Sequence, residues 1–219
     1  MNVFVTGGTG YLGSRLIPLL ARRGHSVLAL VRPGSERRLP GDCRAVIGDV
    51  LAPDAYARAA TGADCLVHLA GVSRPTPAKA RQFAEVDLGS VRAAVAVALQ
   101  GNVRHIVYVS VAQPAPVMRA YVEVRRRCEE LLRESALDAT IFRPWYVLGP
   151  GHRWPYFLLP AYWIARRLPA TREAAERLGF VTLAQMIAGL SQAVEQPARG
   201  VRIIDVPGIR RLASAAPVL

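Results

Sequence analysis

The residues whose types and spacing point most directly to chemistry are glycines. Gly7, Gly10 and Gly13 stand three apart in Thr6-Gly7-Gly8-Thr9-Gly10-Tyr11-Leu12-Gly13, after an apolar run at 2–6 and at the head of a helical stretch at 11–23. Gly7 permits a tight turn, Gly10 lets the main chain approach a pyrophosphate, and Gly13 lets helix and strand come close. A helix that begins here turns its free N–H groups and the positive end of its dipole toward phosphate. The stretch therefore predicts a diphosphate cradle, with Thr9, Tyr11 and Leu12 beside the three glycines. A second pair stands further on, where Tyr121 and Arg125 at i and i+4 share one helical face.

These groups need a frame. Short apolar runs at 2–6, 26–31, 45–48, 64–69, 104–109 and 139–142 alternate with helical stretches at 11–23, 78–100 and 118–135. A helix at 182–195 and a strand at 201–205 close the chain. Continuous β-branched runs between helices predict an α/β fold, a doubly wound and mostly parallel Rossmann-like sheet covered on both faces. Residues 1–219 read as one such domain. From Trp145 to Trp163 the chain holds seven of its fifteen aromatics. The expectation for 144–180 is a small C-terminal aromatic cap.

With that frame the motifs resemble the short-chain dehydrogenase/reductase superfamily, in its extended or atypical branch, over most of the chain. Gly48-Asp49-Val50 looks like the adenine contact, with Asp49 toward the exocyclic amine. His68-Leu69-Ala70-Gly71 looks like the segment lining the ribose. Tyr108-Val109-Ser110 matches the end of the fifth strand. Arg143-Pro144-Trp145-Tyr146-Val147-Leu148-Gly149-Pro150 looks like the segment beside the nicotinamide. Tyr121-Val122-Glu123-Val124-Arg125 stands where the superfamily has Tyr-x-x-x-Lys. The resemblance implies that Tyr121 exchanges a proton at the substrate oxygen, that Arg125 holds the nicotinamide ribose, and that Ser110 steadies the substrate carbonyl. Two departures bear on this. Arginine keeps the positive charge but cannot shuttle a proton, and its planar fork does not sit on a ribose as an ammonium does. Asp87 stands where the superfamily often has asparagine.

Arg32 follows the second strand, nineteen residues after Gly13, where an acidic residue favours NAD and an arginine neutralises a 2′-phosphate. With Arg37 and Arg38 nearby, the expected cofactor is NADP(H) in preference to NAD(H). The leading expectation is an oxidoreductase moving hydride between NADP(H) and a small carbonyl or quinone-like substrate. A non-catalytic NADPH-binding redox sensor or assembly module is the alternative. A nucleotide-sugar epimerase or dehydratase is a weaker third reading.

Composition narrows the rest. The formal charge is +12, yet Lys79 is the single lysine and the arginines are scattered, so direct nucleic-acid binding is not expected. Cys43, Cys65 and Cys128 lack disulfide or zinc spacing, which suits reduced thiols in a cytoplasmic protein. His25, His68, His105 and His152 form no ligand pattern, and no metal is expected. His152 and Arg153 are candidates to face substrate. No run is long and apolar enough to span a membrane. The aromatics at 154–164 followed by Arg166-Arg167 suit a cap, a pocket wall, a homodimer contact or peripheral membrane contact.

Overall fold

The computed structural model describes residues 1–72, 75–151, 162–163, 165 and 167–215. Seven strands form the central sheet. These are β1 (Asn2–Thr6), β2 (Ser26–Val31), β3 (Arg44–Ile47), β4 (Cys65–His68), β5 (His105–Val109), β6 (Asp138–Arg143) and β9 (Val201–Asp205). Their order is β3-β2-β1-β4-β5-β6-β9, and each neighbouring pair is parallel. The winding reverses between β1 and β4, the place where open α/β sheets bind ligands outside the carboxyl ends of their strands.

The inner strands β1, β2, β4, β5 and β6 are largely apolar because both faces are covered, whereas the edge strand β3 is mostly exposed. Phe4, Leu66, Ile106 and Ile141 point into one layer, with α2 (Ala57–Ala60), α4 (Gly89–Gln100) and α5 (Arg119–Glu134). Val3, Val5, Val67, Val107 and Phe142 point into the other. That layer holds α1 (Gly13–Arg22), a helix α7 (Leu183–Glu195) and a terminal helix α8 (Val206–Ala215). A capping box fixes the start of α7: Thr182 Oγ1 accepts from Gln185 N at 3.1 Å, and Gln185 Oε1 accepts from Thr182 N at 2.8 Å.

Strands 2–6, 26–31 and 201–205 match the sequence reading residue for residue, and the others match within about a residue. Several elements differ. The stretch expected as one helix at 78–100 opens with a 3₁₀ turn and a short α3 (Ala80–Gln82), passes through a π-helical turn at Phe83–Leu88, and only then becomes α4. The chain does not close on β9, because α8 follows directly. Pro207 and Gly208 read as breakers there, yet proline is compatible with a first helical turn. Within 144–180, β7 (Tyr146–Leu148) pairs in parallel with β8 (Phe180–Thr182), and α6 (Pro169–Arg177) leads into β8. His152, Arg153 and most of 154–164 lie outside the described residues.

Two histidines are sealed into the sheet. His68 is 1% exposed and His105 is 0% exposed. Burial, reinforced by Arg125, lowers His68 to about 3. Burial, reinforced by Arg202 and opposed by Asp138, lowers His105 to about 4. Both are neutral in the folded protein and titrate near 6.5 once unfolded. Acid therefore favours the unfolded chain: the stability is fully present above about pH 6.5 and falls as protons are taken up between there and pH 4. Urea unfolding is expected to show roughly 2 kcal/mol less stability per histidine at pH 5 than at pH 7.5. A flat profile over that range would refute this reading.

Candidate functional site

The glycine turn is held by close approach. Gly7 has φ +73°, and a methyl group there would lie 2.7 Å from the carbonyl carbon of Leu69 and 2.8 Å from Ala70 N. A methyl at Gly13 would overlap Gly7 O and stand 2.8 Å from Gly8 Cα. Gly10 N donates to Gly7 O at 2.9 Å. So the turn is pressed between the loop after β4 and the first turn of α1. No side chain caps the start of α1, and no acidic residue stands in its first turn. Arg15 adds a cation, donating to Tyr11 O at 2.9 Å with its guanidinium 4.7 Å from the Tyr11 ring centre. These features fit a dinucleotide diphosphate: a bare main-chain cradle, an uncapped helix start and positive charge.

The other expected contact residues lie on loops that follow the strands of the same sheet. A methyl at Gly149 would overlap the Tyr11 hydroxyl, so the segment after β6 reaches over the turn. In that segment Pro144 O accepts from Ala112 N at 2.9 Å, Val147 is half-buried, and Trp145 meets Tyr146 edge-on at 5.6 Å. Leu69, Ala70 and Gly71 follow β4, with Leu69 N bonded to Thr6 O at 3.2 Å. Asp49 is exposed and caps its own turn, accepting from Leu51 N at 3.0 Å, and Val50 O accepts from the Tyr56 hydroxyl at 3.3 Å. Leu39 packs on Gly8, which brings the loop carrying Arg32, Arg37 and Arg38 alongside the cradle. All three arginines are exposed and make no side-chain bond among the described residues.

Beneath the cradle runs a buried relay. Ser90 Oγ donates to Asp87 O at 3.1 Å, so it accepts from His68 Nε2–H at 3.2 Å. Nδ1 of the neutral ring is then left to accept from the Thr6 hydroxyl at 3.0 Å. The relay joins the residue before the glycine turn, the residue before Leu69 and the turn that carries Asp87.

The structure brings Tyr121 and Arg125 together, with the guanidinium 5.0 Å from the phenol ring centre. Phe83 also meets that ring edge-on at 5.0 Å. Yet Arg125 is 7% exposed and heavily engaged. Its Nη2 donates to Asp87 Oδ1 at 2.8 Å, and its Nη1 donates to the Tyr108 hydroxyl and to Val109 O, each at 2.9 Å. Asp87 Oδ1 also accepts from Val72 N at 3.1 Å. Burial raises the Asp87 carboxyl above the usual carboxylate range, against the opposing pull of Arg125 and the Val72 N–H.

Ser110 is turned elsewhere. Its hydroxyl donates to Glu129 Oε1 at 2.6 Å. Glu129 is fully buried and also accepts from Gln113 Nε2 at 2.5 Å, Arg133 Nη2 at 2.7 Å and Arg143 at 3.0 and 2.5 Å. The sequence reading passed over this carboxylate as a constraint. Its signal was its place on the buried stripe of α5 with Arg125, Cys128 and Leu132. Arg143 also forms part of the wall of a cavity of about 230 Å³ at the carboxyl ends of β5, β6 and β9, with Gln113, Glu173, Glu176, Arg177 and Asp205. Of the aromatic stretch, Tyr162 packs edge-on against Phe180 at 4.6 Å, while Trp163 is 58% exposed with the Arg167 guanidinium 3.5 Å from its ring centre. No helix among the described residues is long and apolar enough to cross a membrane, and none of their acidic, histidine or cysteine side chains cluster as a metal site.

A family model described as NAD(P)H-binding matches residues 7–153, from the first glycine of the turn onward. The chain belongs to that NAD(P)H-binding family. It is similar to a ceramide reductase of Caulobacter vibrioides, 32% identical over 151 residues, which is 68% of this chain and 47% of the relative. It is also similar to the photosystem II assembly factor Ycf39 of Cyanophora paradoxa, 29% identical over 65% of this chain and 44% of the relative. The chain thus spans about half the length of these two curated relatives. Among solved structures, the Bordetella bronchiseptica enzyme WbmH in complex with NAD+ superposes with a TM-score of 0.70 at 21% identity, over 98% of this chain and 79% of that one. The UDP-N-acetylglucosamine 4-epimerase of Bacillus cereus gives 0.69 at 18% identity, over 98% and 81%. At these identities the two structures share the Rossmann fold.

The Glu129 cluster gives the site's most direct stability test. Replacing Glu129 by leucine strands Ser110, Gln113 and Arg143 around an apolar side chain. Denaturant unfolding of Glu129→Leu is expected to show a loss of about 3 kcal/mol or more. A change below about 1 kcal/mol would show the cluster to be superficial.

Proposed function

We propose that the protein is an NADP(H)-dependent reductase of a small carbonyl or quinone-like substrate. The observation that carries this reading is the diphosphate cradle with three exposed arginines, Arg32, Arg37 and Arg38, on the adjoining loop that make no side-chain bond among the described residues. A 2′-phosphate supplies the anion these side chains lack. The relative named as a ceramide reductase supports reduction as the reaction class.

The bound nicotinamide supplies the hydride. The chain's own residues hold, orient and protonate. The turn from Gly7 to Gly13 holds the diphosphate by main-chain N–H groups. Asp49 and Val50 would border the adenine, Leu69 to Gly71 would line the ribose, and Pro144 to Val147 would flank the nicotinamide. Tyr121 donates the proton to the substrate oxygen. Ser110 is committed to Glu129, so in this reading the substrate oxygen depends on Tyr121 alone among the expected pair. The cavity bordered by Gln113 and Arg143 lies at the carboxyl ends of β5, β6 and β9, and its described wall does not include Tyr121.

A second reading, an NADPH-binding sensor or assembly module without turnover, is favoured by one observation. The positive charge expected to support Tyr121 is paired with Asp87. The relative named as an assembly factor is in keeping with it.

Fluorescence titration separates the cofactors: NADPH is expected to bind more tightly than NADH, and equal dissociation constants remove the preference. Arg32→Ala should weaken NADPH by roughly tenfold or more and leave NADH nearly unchanged. With a carbonyl and quinone panel, Tyr121→Phe is expected to lower turnover by about 10²-fold or more. Tight NADPH binding without oxidation across that panel selects the second reading.

A further inference from the structure

The Arg125–Asp87 pair joins two elements that also pack through Phe83 and Tyr121. Arg125 comes from α5 and Asp87, 1% exposed, from the π-helical turn 38 residues earlier. A π-turn re-aims the side chains that follow it and is common at functional sites. Here it delivers the carboxylate to the guanidinium beneath Gly71, where a methyl group would lie 2.9 Å from Arg125 Nη2 and overlap Asp87 Oδ1. A guanidinium stays charged at any accessible pH. The carboxylate is therefore what holds the local net charge near zero. A lysine has a single nitrogen, whereas the two Nη atoms of Arg125 reach Asp87, Tyr108 and Val109 at once. The remaining Nε, like Asp87 Oδ2, is buried without a partner among the described residues.

We infer that Asp87 is a positioning residue that fixes Arg125 as a neutralised pair, so that Tyr121 faces a compensated charge and not a bare cation. The inference bears on the role given above to Tyr121, but it concerns the cofactor-free protein. Among the described residues, the ionisable groups facing Tyr121 are Arg125 on its own helix, Asp87 on the π-turn and Tyr108 on β5, the latter two reached through the guanidinium.

Asp87→Asn keeps an oxygen for the Val72 N–H and removes the compensating charge. The Tyr121 phenol is then expected to ionise about one pH unit lower than in the wild type. Tyrosinate absorbance, differenced against the same background carrying Tyr121→Phe, isolates this titration from the other tyrosines. Should Asp87→Asn fold poorly, Asp87→Asn with Arg125→Lys carries the same net charge and is expected to show the same downward shift. A companion cycle reads the pair itself. Arg125→Met leaves a lone buried carboxylate and is expected to lower Tm by about 10 °C, while Asp87→Asn with Arg125→Met recovers at least half of that loss. An unmoved Tyr121 titration in both charge variants, or losses in the cycle that simply add, would overturn the inference. Neither measurement uses NADPH or turnover, so the outcome is independent of whether the reductase reading survives.

Discussion

Gly7 and the main chain of Leu69 and Ala70 lie closer than any side chain would allow. The contact arises because β1 and β4 are neighbours in the sheet but diverge beyond their carboxyl ends, one into α1 and the other toward the layer that holds α4. At the divergence the two loops touch through bare backbone. That contact sets the direction of the first turn of α1 and leaves its amides unobstructed. The relay from Thr6 through His68 to Ser90 fastens the same junction from below with uncharged groups only. A protonated imidazole there would stand in the same buried layer as the Arg125 guanidinium, the arrangement that its low proton affinity avoids.

The inner face of α5 carries most of the remaining polar chemistry. Arg125 and Glu129, one turn apart, each sit in a buried hub, and the two hubs have opposite characters. At Arg125 a cation is matched by one carboxylate and two neutral acceptors. At Glu129 an anion is matched by two arginines and two neutral donors. Arginine suits both because its donors are planar and divergent, so one side chain can tie together several elements. The chain's near-complete use of arginine over lysine thus has a structural counterpart in its interior, whatever sets the composition of its surface.

The sheet was legible because buried parallel strands are continuous apolar runs, and Val3 to Val5, Val27 to Val31 and Ile106 to Val109 are unambiguous. The cradle was legible because its three glycines follow such a strand directly. The elements that went unread are short or begin with residues that usually break structure. The β7–β8 pair has three residues in each strand, and α8 opens with Val206-Pro207-Gly208. The partner of Arg125 was flagged only as an unusual residue at position 87. Its contact depends on a π-turn, which adds a residue to one turn and shifts every later side chain around the helix axis. Periodicity assumes a constant turn and does not register that shift. Ser110 shows the same limit, since its place at the end of β5 was plain but the direction of its hydroxyl follows from a carboxylate nineteen residues later.

The strand order also bears on how the chain reaches this state. The central strand β1 finds its partner β4 about sixty residues downstream, and β6 waits about as long for β9. Pairings of such separation close large loops before any contact rewards them, so assembly is governed by topology and proceeds slowly compared with helical bundles of similar length. Until β4 arrives, β1 exposes an unpaired edge, the kind of backbone that can pair with a strand of another chain.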